Sequence, residues 1–137
     1  MFTGTFISWV SCEIQGENSP PEKPSKPIGS TAGKIDETYT YTTSASDPNA
    51  NDMIYYLFDW GDGTNSSWIG PYATGDTCNT LHQWTSKGSY NVKVQAKDYD
   101  VSLSEWSDPL VISMPKIHSY DQTMQLFFKK VERFTFI

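Results

Sequence analysis

Asp59 and Asp62 flank Trp60-Gly61 in the run Phe58-Asp59-Trp60-Gly61-Asp62-Gly63-Thr64 and resemble a pair of catalytic carboxylates. A glycosidase uses such a pair only across a cleft and at a fixed separation, and no supporting apparatus accompanies this one. A turn-stabilising role fits the two residues better. Asp47, Asn49, Asn51 and Asp52 crowd one polar loop with hard oxygen ligands of the kind calcium takes. The EF-hand pattern fails there, because Asp52 stands sixth where glycine is required and Phe58 twelfth where glutamate is required. Calcium at this loop is thus one expectation, and a plain Asp/Asn turn is the other. His82 and His118 are the only histidines, which speaks against a zinc site. No Ser/His/Asp or Cys/His arrangement has supporting context. Trp68, Tyr72 and Trp106 are candidates for a platform on which sugar rings stack, set against the alternative that they fold over the end of the core.

These residues must be carried by strands. The chain has 137 residues, of which 15% are aromatic and only 19% charged. Strands favour aromatic and β-branched side chains, and turns favour Gly, Pro, Asn and Asp, so the balance reads all-β. Ten basic against sixteen acidic residues give a net charge of −6, which argues against nucleic acid as a partner. Two cysteines, Cys12 and Cys78, are too few for a disulfide scaffold. A bridge between them and two unrelated thiols are the alternatives, the second favoured.

Ile54, Tyr56, Phe58 and Trp60 alternate with Tyr55, Leu57 and Asp59, the two-residue period of a strand with one buried face. Asp62-Gly63 follows as a hairpin turn, with Asp62 expected to tolerate positive φ beside a glycine that does so freely. Further strands are expected over 34–44, 80–85, 90–98 and from Leu110 to Met114, with a turn-rich excursion over 65–77. Tyr90, Val92, Val94 and Ala96 face one way, and Asn91, Lys93, Gln95 and Lys97 the other, so one face is packed and one wet. The expected core is Tyr41, Tyr56, Phe58, Trp60, Trp84, Tyr90, Val92, Val94, Leu110 and Ile112. About six or seven short strands without an internal helix make a two-sheet β-sandwich.

The ends differ from the middle. Residues 1–17 begin with an uncharged apolar stretch, too short to span a bilayer and similar to the hydrophobic core of a signal peptide without its basic start. An edge strand is the competing reading. Residues 18–27 hold Pro20, Pro21, Pro24 and Pro27, an extended and semi-rigid tether, with the sandwich assigned to 28–115. In 116–137, Met124, Phe127, Phe128, Val131 and Phe134 form a helical stripe beside Lys129, Lys130 and Arg133. Docking on the sandwich or fraying is preferred there. Membrane contact rests on three cations alone.

Two segments carry a family resemblance. Tyr56-Leu57-Phe58-Asp59-Trp60-Gly61-Asp62-Gly63-Thr64 resembles the aromatic-strand and Gly-Asp-Gly signature of PKD domains. His82-Gln83-Trp84, followed by Gly88-Ser89-Tyr90-Asn91-Val92 and a strand ending in Asp98, resembles their second signature, with Trp84 where Tyr is commoner. Order and separation both match. The tether and the Glu105-Trp106-Ser107-Asp108-Pro109-Leu110 run are similar to PKD proteins of archaeal cell surfaces. The resemblance implies an immunoglobulin-like sandwich, export to the cell surface, and adhesion, spacing, or protein and carbohydrate contacts in place of catalysis. It also implies calcium in some members. In sandwich folds of this kind, Tyr90 suits a tyrosine corner, and His82 a hydrogen-bonded structural role. Asn65-Ser66-Ser67 is a glycosylation sequon consistent with export. The expectation is a non-catalytic extracellular module, or alternatively a carbohydrate-binding accessory domain of a secreted hydrolase.

Overall fold

The computed structural model describes residues 16–115 and Lys130. The apolar start, Cys12, His118 and the tail stripe lie outside the described residues. Six strands follow in order: β1 (Thr38–Ser44), β2 (Met53–Asp59), β3 (Asn65–Ala73), β4 (Thr77–Gln83), β5 (Gly88–Lys97) and β6 (Leu110–Met114). β1 and β4 pair antiparallel in one sheet, and β3-β2-β5-β6 form the other. The architecture is an immunoglobulin-like β-sandwich, as the patterning indicated.

The alternation in β2 and β5 packs as expected. Ile54, Tyr56, Phe58, Val92, Val94 and Ala96 are all fully buried, while the intervening residues face outward. Tyr41 on β1, Trp84 after β4, and Ile112 and Met114 on β6 close the interior. Tyr90 departs from the expected core: it is half-buried and packs against the core from its margin. Its hydroxyl donates to the Ser86 carbonyl at 2.8 Å, and a tyrosine that spends its hydroxyl on a turn carbonyl must keep that end near the surface.

The excursion expected over 65–77 is a strand for most of its length. β3 pairs with β2 through Asn65↔Asp59, Trp68↔Leu57 and Tyr72↔Ile54. It escapes a two-residue reading because it lies at the sheet edge with most side chains exposed, and because the register shifts twice along it.

The tether is docked along the sandwich. Pro21, Pro24 and Pro27 are all buried, and a spacing of three matches the three-residue turn of polyproline II, so one stripe faces the protein. Glu22 and Ser25 donate backbone amides to the Ser46 and Ser44 carbonyls at 2.8 and 2.9 Å. This covers the free edge of β1 and satisfies groups that an edge strand leaves exposed. Further on, Ile28 bridges Thr42 antiparallel and Ala32 bridges Ser113 of β6 in parallel. The segment therefore crosses from one sheet to the other.

Candidate functional site

The β2–β3 turn gathers both family segments into one cluster. Its positive φ angles fall on Gly61 (76°) and Gly63 (90°), so Asp62 does not take the left-handed conformation expected of it. The connection is longer than a two-residue hairpin, and Asp62 acts through its carboxylate. Asp62 Oδ1 accepts from Thr64 N at 2.9 Å and from Thr64 Oγ1 at 2.6 Å. Asp59 Oδ1 accepts from Gly61 N at 2.9 Å, and its Oδ2 lies 3.6 Å from Lys93 Nζ. A Cβ added to Gly61 would stand 2.7 Å from the Asn91 amide nitrogen, which is why no larger residue fits there.

Asp62 Oδ2 pairs with His82 Nε2 at 2.8 Å. Burial pushes the Asp62 carboxyl upward, but the hydrogen bonds from Thr64 and His82 outweigh it and hold the group below the usual carboxylate range. The His82 ring stacks on Trp60 at 4.4 Å between centroids and 4° between planes, and meets Trp84 edge-on at 4.6 Å. Trp84 in turn donates its indole N–H to the Trp60 carbonyl at 3.4 Å and stacks on Tyr90. Phe58, Val92 and Gly88 complete this end through the strands that carry them. Asp59 and Asp62 are both engaged in the turn, and neither faces the other across a cleft.

A second constellation forms at the opposite end of β2 and β5. Carboxylate oxygens of Asp47, Asp52 and Asp98 all lie within 4.8 Å of one another. Asp47 is 7% exposed and Asp98 1%. Asp47 Oδ1 accepts from Asn49 N at 2.8 Å, while Asp47 Oδ2 is buried without a hydrogen-bond partner. Burial first, then the charges of Asp52, Asp98 and Glu22, push the Asp47 carboxyl upward. The tether closes the site. Asn18 Nδ2 donates to Asp98 Oδ2 at 2.8 Å and to Ser102 Oγ at 2.9 Å, and Ser19 N donates to Asn49 Oδ1 at 3.0 Å. Of the loop ligands expected for calcium, Asp47 and Asp52 converge, Asn49 turns to the tether, and Asn51 is exposed. Asp98, read only as the end of the second signature, is the residue that reading missed.

The aromatic platform divides. Between Ile54↔Tyr72 and Tyr56↔Ile69, β3 carries one residue more than β2, and such a bulge inverts the side-chain alternation. Tyr72 therefore packs on Tyr56 at 5.7 Å, beside buried Cys78, whose thiol burial pushes up. Trp68 stays on the outer face of the four-stranded sheet, 37% exposed, with Lys97 Nζ 4.8 Å from its ring and 5.6 Å from Tyr55. Trp106, also 37% exposed, lies under Lys93 Nζ at 5.0 Å. Asn65 is exposed at the start of β3, its Oδ1 accepting from Ser67 N at 3.2 Å.

A family model described as PKD domain matches residues 21–109. The solved PKD domain of an M14-like peptidase from Thermoplasmatales archaeon SCGC AB-540-F20 is 44% identical, covers 72% of this chain and 99% of that one, and superposes with a TM-score of 0.66. The CARDB domain of a Pyrococcus furiosus protein, solved in complex with di-metal ions, covers 72% and 91% at 9% identity and a TM-score of 0.47, too distant to support any inference. No curated protein matches the chain. With both signature segments assembled into one cluster and the family model spanning most of the described residues, the chain belongs to the PKD domain family.

Proposed function

We propose that this PKD domain is a non-catalytic module of an exported or cell-surface protein, and that it presents the outer face of its four-stranded sheet to an extracellular protein or polysaccharide. The observation that carries this reading is the placement of Trp68 and Trp106 on that face, each with a lysine ammonium over its ring. Flat aromatics stack on apolar sugar faces or anchor protein contacts. Adjacent ammonium groups add polar recognition, and cation–π contact holds the lysines in place.

A second reading is favoured by one finding. The 44% identical structure is a PKD domain of an M14-like peptidase, so this chain could serve as an accessory domain of a secreted hydrolase and bring it to polymeric substrate. Glycan-array and polysaccharide pull-down binding by the wild type, compared with Trp68→Ala and Trp106→Ala, tests the recognition face. Absence of any binding together with ordinary melting curves leaves a spacer. Polymer hydrolysis abolished by Asp59→Asn overturns the non-catalytic reading.

A further inference from the structure

We propose that Asp47, Asp52 and Asp98 hold a hard divalent cation, calcium in particular, and that the ion clamps the N-terminal tether to the sandwich through Asn18 and Ser19. Three carboxylates converge from two loops that are distant in sequence, and two of the three are almost wholly removed from solvent. Like charges at this separation repel strongly in a low-dielectric setting. Among the described residues, no lysine or arginine forms a salt bridge with any of them. The second observation is independent of the charge count. Asp47 Oδ2 is buried, aimed into the cluster, and has no donor, whereas buried polar atoms in folded proteins are nearly always satisfied. A cation supplies what that oxygen lacks.

The donor set selects the ion. All three groups are carboxylates, with no sulfur or imidazole, and such sets suit hard cations. They sit on loops, which tolerate the variable geometry of calcium better than the strict octahedron of magnesium. The tether enters because its polar groups hold the same residues. Asn18 donates to Asp98 and Ser19 to Asn49, which itself turns on Asp47. Ordering the acidic loops therefore orders residues 18 and 19, and the buried prolines carry that order along the edge of β1.

The full chain, freed of metal with a chelator, is titrated with calcium or magnesium chloride by calorimetry. Melting temperature and cleavage by a glutamate-specific protease after Glu17 and Glu22 are followed in parallel. Calcium is expected to bind one per chain below about 1 mM, and the melting temperature to rise with the logarithm of its concentration. Cleavage at the two glutamates is expected to slow about tenfold, as it does where proteolysis follows the opened population. Asp47→Asn and Asp52→Asn should abolish binding, and Asp47→Asn should melt no lower than wild type in chelator because it relieves repulsion. Asn18→Ala should bind calcium yet lose protection at Glu17. No binding at about 1 mM, tighter binding of magnesium, or undiminished calcium binding by both Asp variants overturns the site. Binding without protection, or full protection in Asn18→Ala, overturns the clamp and leaves the site standing.

Discussion

The imidazole of His82 lies flat on the indole of Trp60, 4° from parallel and 4.4 Å between centroids, while its Nε2 is 2.8 Å from Asp62 Oδ2. One side chain thus joins β4 to the β2–β3 turn. It does so by an apolar contact on its ring face and a polar one at its edge. Asp62 and His82 form the kind of pair that also occurs in hydrolases, yet here Asp62 also accepts twice from Thr64. Its hydrogen-bonding capacity serves the turn.

Phe58 is fully buried in the middle of β2 and stacks on Trp60 at 5.2 Å. Removing its ring leaves a cavity between the sheets, so Phe58→Ala should lose about 3–5 kcal/mol. Urea denaturation checks this. A loss below about 1 kcal/mol, the range of volume-conserving swaps, would show that the ring does not fill the interior.

Gly61 tests the turn. Alanine there meets the Asn91 backbone and must also hold a φ of 76°. Combining left-handed strain with overpacking, Gly61→Ala should cost about 2–4 kcal/mol. Gly63, with open space where a Cβ would lie, bears only the first of these, and Gly63→Ala should cost about 1–2 kcal/mol.

The Asp62 carboxyl is held below its ordinary value of 3.8 in the folded protein. A depressed folded value means that its contribution is present above 3.8 and is lost as pH falls through the folded value. Wild type should therefore melt higher than Asp62→Asn at neutral pH, and the gap should narrow below pH 3.8. A gap independent of pH in acid would assign the effect of Asp62 to shape alone.

Tyr41 and Tyr56 are both fully buried, and burial raises their phenols from 10.0 to about 12. Raised folded values stabilise the protein below the unfolded value and lose that contribution as pH climbs through the folded one. Stability should hold to pH 10 and fall between 10 and about 12. Tyr56→Phe should weaken that fall while costing about 1 kcal/mol at neutral pH, because the Ala45 amide loses its acceptor.

Strands with one dry and one wet face were legible in the sequence. The alternation of β2 and β5 survives unchanged in the fold because nothing interrupts their pairing between Tyr55↔Lys97 and Asp59↔Lys93. β3 was not legible, since edge exposure removes the apolar alternation and a bulge moves Tyr72 to the opposite face from Trp68. The prolines of the tether announced an extended chain, but their burial depends on β1 lying beneath them. Asp98 was visible as a strand end. Its approach to Asp47 is a contact between loops some fifty positions apart, and neither loop alone encodes it.

The recognition face is tested most directly by presenting wild type and the double variant Trp68→Ala/Trp106→Ala to arrays of extracellular glycans and cell-surface proteins, with circular dichroism confirming that both are folded. Wild type should retain a partner that the double variant releases. Equal retention by the two, or none by either, contradicts a binding role for the outer face of the β3-β2-β5-β6 sheet.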